Sequence, residues 1–125
     1  MNQKILLIED DPFLSEIYVT KFEEAGFMIL VAEDGAFGLQ KIKEMHPDLI
    51  LLDIVMPNMD GFEVLRLIKQ DSEIRNIPVI VLSNLGEKEN VEKGLGLGAA
   101  AYIIKAHYTP TEVVAKAQGI LEGRS

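Results

Sequence analysis

The 125-residue sequence contains no cysteine, and no run of residues is apolar enough to cross a membrane. The first absence excludes disulfides, zinc sites built on thiolates and thiol catalysis. The second matters because a membrane-spanning helix needs roughly 20 apolar residues. Residues 1–4, MNQK, also lack the long apolar region of a signal peptide. We therefore expect a soluble, cytoplasmic protein with no membrane partner.

Basic charge is scarce as well. Twelve Lys and Arg residues stand against twenty Asp and Glu residues, a formal net charge of −8, and no basic cluster interrupts this balance. Because nucleic-acid binding normally needs a basic face, we expect no direct nucleic-acid binding. A chain of this length buries roughly two-thirds of its unfolded surface as one domain. We expect a single domain over residues 1–125, with no second domain in this chain.

Five short apolar segments alternate with segments of helical apolar spacing. The predicted strands are 4–8, 27–32, 48–53, 78–83 and 101–105. Segments that are apolar at consecutive positions suit parallel strands covered on both faces. Ile17 in the first helical segment and Phe37 in the second belong to the apolar side of each. Five strands alternating with five helices predict an α/β fold with a parallel sheet.

Polar residues stand where the predicted strands end. Glu9 and Asp10 follow the first strand, Asp53 ends the third, Ser83 ends the fourth and Lys105 ends the fifth. Ligands of open α/β sheets bind beyond the carboxyl ends of the strands. Carboxylates suit a hard cation such as Mg²⁺, and a hydroxyl with an ammonium suits a phosphoryl group. Each residue alone is an ordinary strand end, but together they indicate a carboxylate that accepts a phosphoryl group.

Asp11 has a different predicted role. It directly precedes Pro12, and an Asp before a Pro is a typical start of a helix. We therefore expect Asp11 to cap the first helix, which leaves Glu9 and Asp10 for a metal.

The stretches ILLIEDDP, DLILLDIVMPNMDG, IPVIVLSN and GAAAYIIK resemble the receiver domain of two-component response regulators, along essentially the whole chain. The resemblance implies a flavodoxin-like doubly wound sheet of strand order 2-1-3-4-5 with five helices. It implies a phosphorylation-controlled signalling module, which catalyses only its own phosphorylation and dephosphorylation and is not otherwise an enzyme. The implied partners are a histidine kinase or histidine phosphotransfer protein, and a downstream protein target or an output domain elsewhere. The implied oligomeric state is a monomer or a phosphorylation-dependent dimer.

The same resemblance assigns a cofactor, Mg²⁺, and its ligands. Asp53 is the phosphoacceptor and also a metal ligand. Asp10 holds the metal directly, Glu9 holds it through water, and the main-chain carbonyl of Val55 is a further ligand.

The remaining implied roles concern the phosphoryl group and the output surface. Lys105 pairs with the phosphoryl oxygens, and Ser83 moves to hydrogen-bond them. Tyr102 is the switch aromatic, which turns inward when the hydroxyl moves. The switched face consists of the fourth helix, the fifth strand and the fifth helix.

Three positions depart from the receiver pattern. Ala106 follows Lys105 where receivers usually have proline, so we expect the following loop to differ and Lys105 to be held less firmly. Asn84 follows Ser83 where a small residue is common, and its amide either crowds the phosphoryl site or hydrogen-bonds it. Val55 has no side chain that orients an attacking water, so we expect slow hydrolysis of the phosphorylated form.

Three alternative functions fit the residues less well. An aspartate-based Mg²⁺-dependent phosphatase needs a second acid two residues after the nucleophile, where Val55 stands. A flavin-binding domain needs Ser, Thr and Gly in the loop after the first strand, which here is acidic. A degenerate receiver that acts only as a protein-interaction module is disfavoured by the complete set of Glu9, Asp10, Asp53, Ser83 and Lys105.

Overall fold

A computed structural model describes residues 3–123 and contains one five-stranded sheet. The strands are β1 Lys4–Ile8, β2 Met28–Ala32, β3 Leu49–Leu52, β4 Val79–Ser83 and β5 Ala101–Ile104. All neighbouring strands pair in parallel, in the order β2-β1-β3-β4-β5. The α/β class and the strand order 2-1-3-4-5 are confirmed.

There are five helices, of which four connect successive strands and the fifth follows β5. They are α1 Pro12–Glu24, α2 Gly35–Met45, α3 Gly61–Gln70, α4 Lys88–Gly96 and α5 Pro110–Leu121. None of these helices, which are all those described between residues 3 and 123, has the length and apolarity needed to cross a membrane.

The end of β5 differs from the prediction. The sequence predicts a strand through Lys105, but β5 ends at Ile104 and Lys105 begins a 3₁₀ turn, Lys105–His107. The pairing of β4 with β5 stops at Ser83 opposite Ile104, where β4 itself ends. Lys105 therefore has no neighbouring strand residue with which to continue the ladder.

The sheet separates two apolar cores. Alternate residues of β1 point to opposite faces, as the pleat requires: Ile5 and Leu7 join one core, and Leu6 and Ile8 join the other. Helices α1 and α5 cover the first face, and the second core contains the apolar residues of α2 and α3. The apolar runs of the strands follow from this two-sided burial.

Two aromatic or aliphatic residues lie on the outside of their helices, against expectation. Ile17 is 41% exposed and Phe37 is 43% exposed. Helix α2 instead approaches the sheet through small residues: a Cβ at Gly38 would lie 2.6 Å from the Cδ1 atom of Ile8. Apolar spacing does not register a contact made by glycine, so Phe37 was predicted incorrectly to face the core. Ile42 of the same helix is fully buried.

The start of α1 is as predicted. Asp11 is the N-cap, and its Oδ1 accepts the N–H groups of Phe13 at 2.9 Å and Leu14 at 3.3 Å. These two groups have no partner within the helix, so the cap satisfies donors that would otherwise bond only to water.

Asp11→Ala removes this acceptor and should lower the free energy of unfolding by about 1 kcal/mol. Urea denaturation followed by circular dichroism measures the loss. Asp11→Asn is the matched control, because asparagine caps helices about as well as aspartate, and it should leave the midpoint nearly unchanged. Equal midpoints for the alanine variant and the wild type would show that the cap contributes nothing.

Candidate functional site

Backbone hydrogen bonds fix two carboxylates side by side at the carboxyl edge of the sheet. The N–H of Glu9 donates to the carbonyl of Ala32 at 2.9 Å, and the N–H of Asp53 donates to the carbonyl of Ile8 at 3.0 Å. Both side chains are buried, Glu9 at 2% and Asp53 at 5% exposure. The sheet itself therefore holds the two acids in place.

Asp10 completes a cluster of three acids with Glu9 and Asp53. Each residue offers one carboxylate oxygen, and the three oxygens lie within 4.8 Å of one another. Two oxygens bound to one Mg²⁺ at about 2.1 Å stand at most about 4.2 Å apart, so small side-chain movements suffice to bind such an ion. The all-oxygen donor set and its spacing fit a hard divalent cation.

The three acids differ in the number of hydrogen bonds that their carboxylates already accept from the protein. Glu9 accepts a hydrogen bond at each oxygen, from the Lys105 ammonium at 2.7 Å and from the N–H of Asp11 at 3.2 Å. Asp53 accepts the N–H of Val55 at 3.2 Å. Within residues 3–123, the exposed carboxylate of Asp10 has no hydrogen bond or ion pair. Asp10 is thus the acid most available to a cation, and Glu9 the least.

Lys105 places a positive charge between the two buried acids. Its Nζ lies 2.7 Å from Oε1 of Glu9 and 3.4 Å from Oδ2 of Asp53. Burial lowers the pKa of Lys105, but the hydrogen bond to Glu9 and the charge of Asp53 outweigh it and raise that pKa overall. The ammonium therefore stays protonated at neutral pH.

Glu9 has the most perturbed acid–base behaviour in the site. Burial raises the pKa of Glu9 to about 7, and the nearby charge of Asp53 acts in the same direction. The hydrogen bond from Lys105 opposes this shift without cancelling it. One ammonium shared by two buried carboxylates does not compensate for the loss of solvation.

Ser83 and Tyr102 meet at the loop that follows β4. Ser83 is fully buried, and its Oγ accepts the N–H of Leu85 at 3.2 Å. The Tyr102 hydroxyl donates to the carbonyl of Leu85 at 2.6 Å. The Tyr102 ring packs so closely on α4 that a Cβ at Gly94 would lie 2.8 Å from it. The ring of Tyr102 is therefore half-buried between α4 and the loop after β4.

Two residues near the site were not assigned to it from the sequence. A Cβ at Gly61 would collide with the backbone carbonyl of Asp53, and the N–H of Gly61 donates to the carbonyl of Ile54 at 2.9 Å. Only glycine permits this approach of α3 to the loop after Asp53. The Asp60-Gly61 dipeptide is typical of a turn but does not indicate the contact. Tyr18 on α1 is buried, which raises the pKa of its phenol, and it senses the charges of Lys105 and Glu9. Helical spacing indicated its burial but not its neighbours.

The three departures from the receiver pattern each have a place in the structure. The loop after β5 forms the 3₁₀ turn, and every peptide bond between residues 3 and 123 is trans. Asn84 points its amide oxygen at the N–H of Ala106, 3.0 Å away. Val55 is 60% exposed beside Asp53.

The raised pKa of Glu9 gives a pH-dependent stability. Between pH 4.5 and 7 the folded state binds more protons at Glu9 than the unfolded state does, so this residue lowers the free energy of unfolding as pH rises through that window. From pH 4.5 to 7, the free energy of unfolding of Glu9→Gln should rise by roughly 3 kcal/mol relative to that of the wild type. Urea denaturation with chelator present measures this difference.

Asp10→Asn is the control, since it removes a neighbouring charge while Glu9 stays titratable. Its stability difference from the wild type should vary much less with pH. A Glu9→Gln difference that stays constant from pH 4.5 to 7.5 would contradict the raised pKa.

Comparisons with known proteins agree with this geometry. A sequence model described as "Response regulator receiver domain" matches residues 5–118. The chain is 36% identical over 121 residues both to the DNA-binding response regulator MtrA of Mycolicibacterium smegmatis and to the phosphate regulon transcriptional regulatory protein PhoB of Escherichia coli. These alignments cover 97% of this chain and 51% and 52% of the two relatives, so the chain spans about half their length.

Solved structures give the same result. The receiver domain of the Francisella response regulator 1452 superimposes with a TM-score of 0.90 at 33% identity, over 98% of each chain. The strand order and the acidic cluster at the edge of the sheet are thus accompanied by a sequence match over nearly the whole domain. The chain belongs to the response regulator receiver domain family.

Proposed function

We propose that the chain is the phosphorylation-controlled module of a two-component phosphorelay, and that Asp53 accepts the phosphoryl group. The observation that carries the proposal is the Lys105 ammonium, held within hydrogen-bonding or ion-pair distance of both Glu9 and Asp53. A cation placed beside a buried carboxylate is also beside any phosphoryl group attached to it. The phosphoryl donor is a histidine kinase or a histidine phosphotransfer protein.

The transfer requires little covalent chemistry from the protein. A carboxylate oxygen of Asp53 forms a bond to phosphorus while the phosphorus–nitrogen bond of the phosphohistidine breaks, and the imidazole nitrogen keeps the electron pair. Negative charge is spread over the equatorial oxygens during transfer, so positioned cations lower the barrier. Lys105 supplies one such charge from its place beside Asp53.

Mg²⁺ is the proposed cofactor. Asp10 and Asp53 would bind it directly, and Glu9 would bind it through water. The main-chain carbonyl of Val55 would be a further ligand. When bound, the ion neutralises charge on the acids and on the phosphoryl oxygens. Two observations support this division of roles: the carboxylate of Asp10 has no hydrogen bond within residues 3–123, and the carboxylate of Glu9 already accepts two.

Phosphorylation then changes the partners of the surrounding groups. A phosphoryl group on Asp53 adds negative charge and acceptor oxygens, which attract the Lys105 ammonium and the Ser83 hydroxyl. Ser83 accepts a hydrogen bond from the N–H of Leu85, and Tyr102 donates one to the carbonyl of Leu85. Movement of the serine therefore changes the contacts of the tyrosine ring. The proposed output surface is the face formed by α4, β5 and α5. The populations of its conformations shift with this change.

The downstream partner is a protein or another segment of a longer chain. MtrA is named a DNA-binding response regulator, and this chain matches about half of it. With a net charge of −8, the chain itself offers no electrostatic attraction to a phosphate backbone. Any DNA binding would therefore reside outside this domain.

Treatment with acetyl phosphate, a small phosphoryl donor, tests the proposal directly. The wild type should gain one phosphoryl group by intact mass in the presence of Mg²⁺ and none with chelator. Asp53→Asn and Asp10→Ala should gain none, whereas Asp11→Ala, which removes only the helix cap, should react like the wild type. A wild-type protein that stays unmodified would leave only a protein-interaction role.

The lifetime of the phosphorylated form depends on Val55. No polar side chain at this position orients an attacking water, so loss of the label after removal of the donor should be slow. Val55→Asn supplies a hydrogen bond to water and should speed the loss roughly three- to tenfold, the range expected of one hydrogen bond.

Val55→Ala is the matched apolar control and should not accelerate hydrolysis. Rapid wild-type hydrolysis that Val55→Asn does not increase would show that the residue at this position does not limit the reaction.

A further inference from the structure

Two residues that depart from the receiver pattern contact each other. The N–H of Ala106 donates a hydrogen bond to Oδ1 of Asn84 at 3.0 Å. Proline, the residue usual in receivers at position 106, has no N–H and cannot make this bond. The two substitutions therefore belong to one interaction, although they stand 22 residues apart in the sequence.

The bond joins the two chain segments that carry the proposed phosphoryl contacts. Asn84 directly follows Ser83, and Ala106 directly follows Lys105. The first N–H groups of the 3₁₀ turn Lys105–His107 have no partner inside the turn, and its N-cap residue Ile104 offers no side-chain acceptor. Asn84 thus caps this turn from a different loop.

Two further contacts hold the same loop to β5. The carbonyl of Leu85 accepts the hydroxyl of Tyr102 at 2.6 Å, and a Cβ at Gly86 would lie 3.1 Å from the side chain of Ile104. Residues 84 and 85 therefore hydrogen-bond to the turn after β5 and to β5 itself, and Gly86 lies close to Ile104. These contacts link the loop after β4 to the turn that carries Lys105.

We propose that Asn84 is a positioning residue for Lys105, acting through the N–H of Ala106. Where proline would restrict the backbone after the lysine by its fixed φ, this chain uses a side-chain to main-chain hydrogen bond. The bond also makes the inward movements of Ser83 and Lys105 concerted, because each is the chain neighbour of one bonded partner. This inference rests on the proposed phosphorylation of Asp53.

The expected effect is modest. Asn84 and Ala106 are exposed, so the bond competes with water, and one such bond corresponds to about a three- to tenfold change in rate. A double-mutant cycle separates this contribution from any general effect of the side chain.

The cycle combines Asn84→Ala with Ala106→Pro, which removes the donor. The measured quantity is the rate of Mg²⁺-dependent phosphorylation by acetyl phosphate, followed by intact mass. In the wild-type background Asn84→Ala should slow the reaction about three- to tenfold; in the Ala106→Pro background it should change the rate by less than about twofold. Gln40→Ala, which removes an exposed amide side chain on α2 away from the contact, should leave the rate unchanged.

Amide hydrogen exchange reports the bond itself. The N–H of Ala106 should exchange faster in Asn84→Ala than in the wild type, while amides in β1 keep their protection. This measurement decides the matter if the proline variant fails to fold, since it needs only the single Asn84→Ala substitution.

The outcomes distinguish the positioning role of Asn84 from the proposed function. If the wild type takes up no phosphoryl group, the proposed function fails and the positioning role fails with it. If the wild type reacts but Asn84→Ala has the same effect in both backgrounds, or leaves the exchange of Ala106 unchanged, the positioning role is overturned and the proposed function stands.

Discussion

The site depends on the contacts of the Lys105 ammonium with the carboxylates of Glu9 and Asp53. Two of its three acids, Glu9 and Asp53, are buried, and an uncompensated buried carboxylate costs several kcal/mol. Lys105 contacts both, yet brings only one positive charge. The remaining deficit is visible at Glu9, whose pKa burial raises to about 7. Two buried carboxylates therefore share one positive charge, which is consistent with the proposed binding of a metal and a phosphoryl group.

The order of the strands explains why a lysine is needed for this contact. β5 lies at the edge of the sheet, and β4 separates it from β3, which leads into Asp53. Lys105 must reach across the end of β4, where Ser83 is short and fully buried. A long side chain on the edge and a small one between them are thus two parts of the same geometry.

The sequence predicted the features that depend on local chemistry. Consecutive apolar residues indicated strands buried on both faces, and Asp11 before Pro12 indicated a helix cap. The polar residues at the strand ends indicated one shared site, and Lys105 does contact both Glu9 and Asp53 there. The metal and phosphoryl roles of that site stay predictions. Pairings between distant segments were not predictable in this way. The ion pair of Lys105 with Glu9 joins residues 96 positions apart, and the bond of Asn84 with Ala106 depends on a 3₁₀ turn that no local signal announced.

The most direct test of this account is a crystal structure with Mg²⁺ and beryllofluoride, a mimic of the phosphoryl group. The account predicts the mimic on Asp53, the metal on Asp10 and Asp53, and the ammonium of Lys105 moved from Glu9 to the mimic. A structure in which Lys105 still bonds to Glu9, with no metal between the acids and no mimic on Asp53, would contradict it.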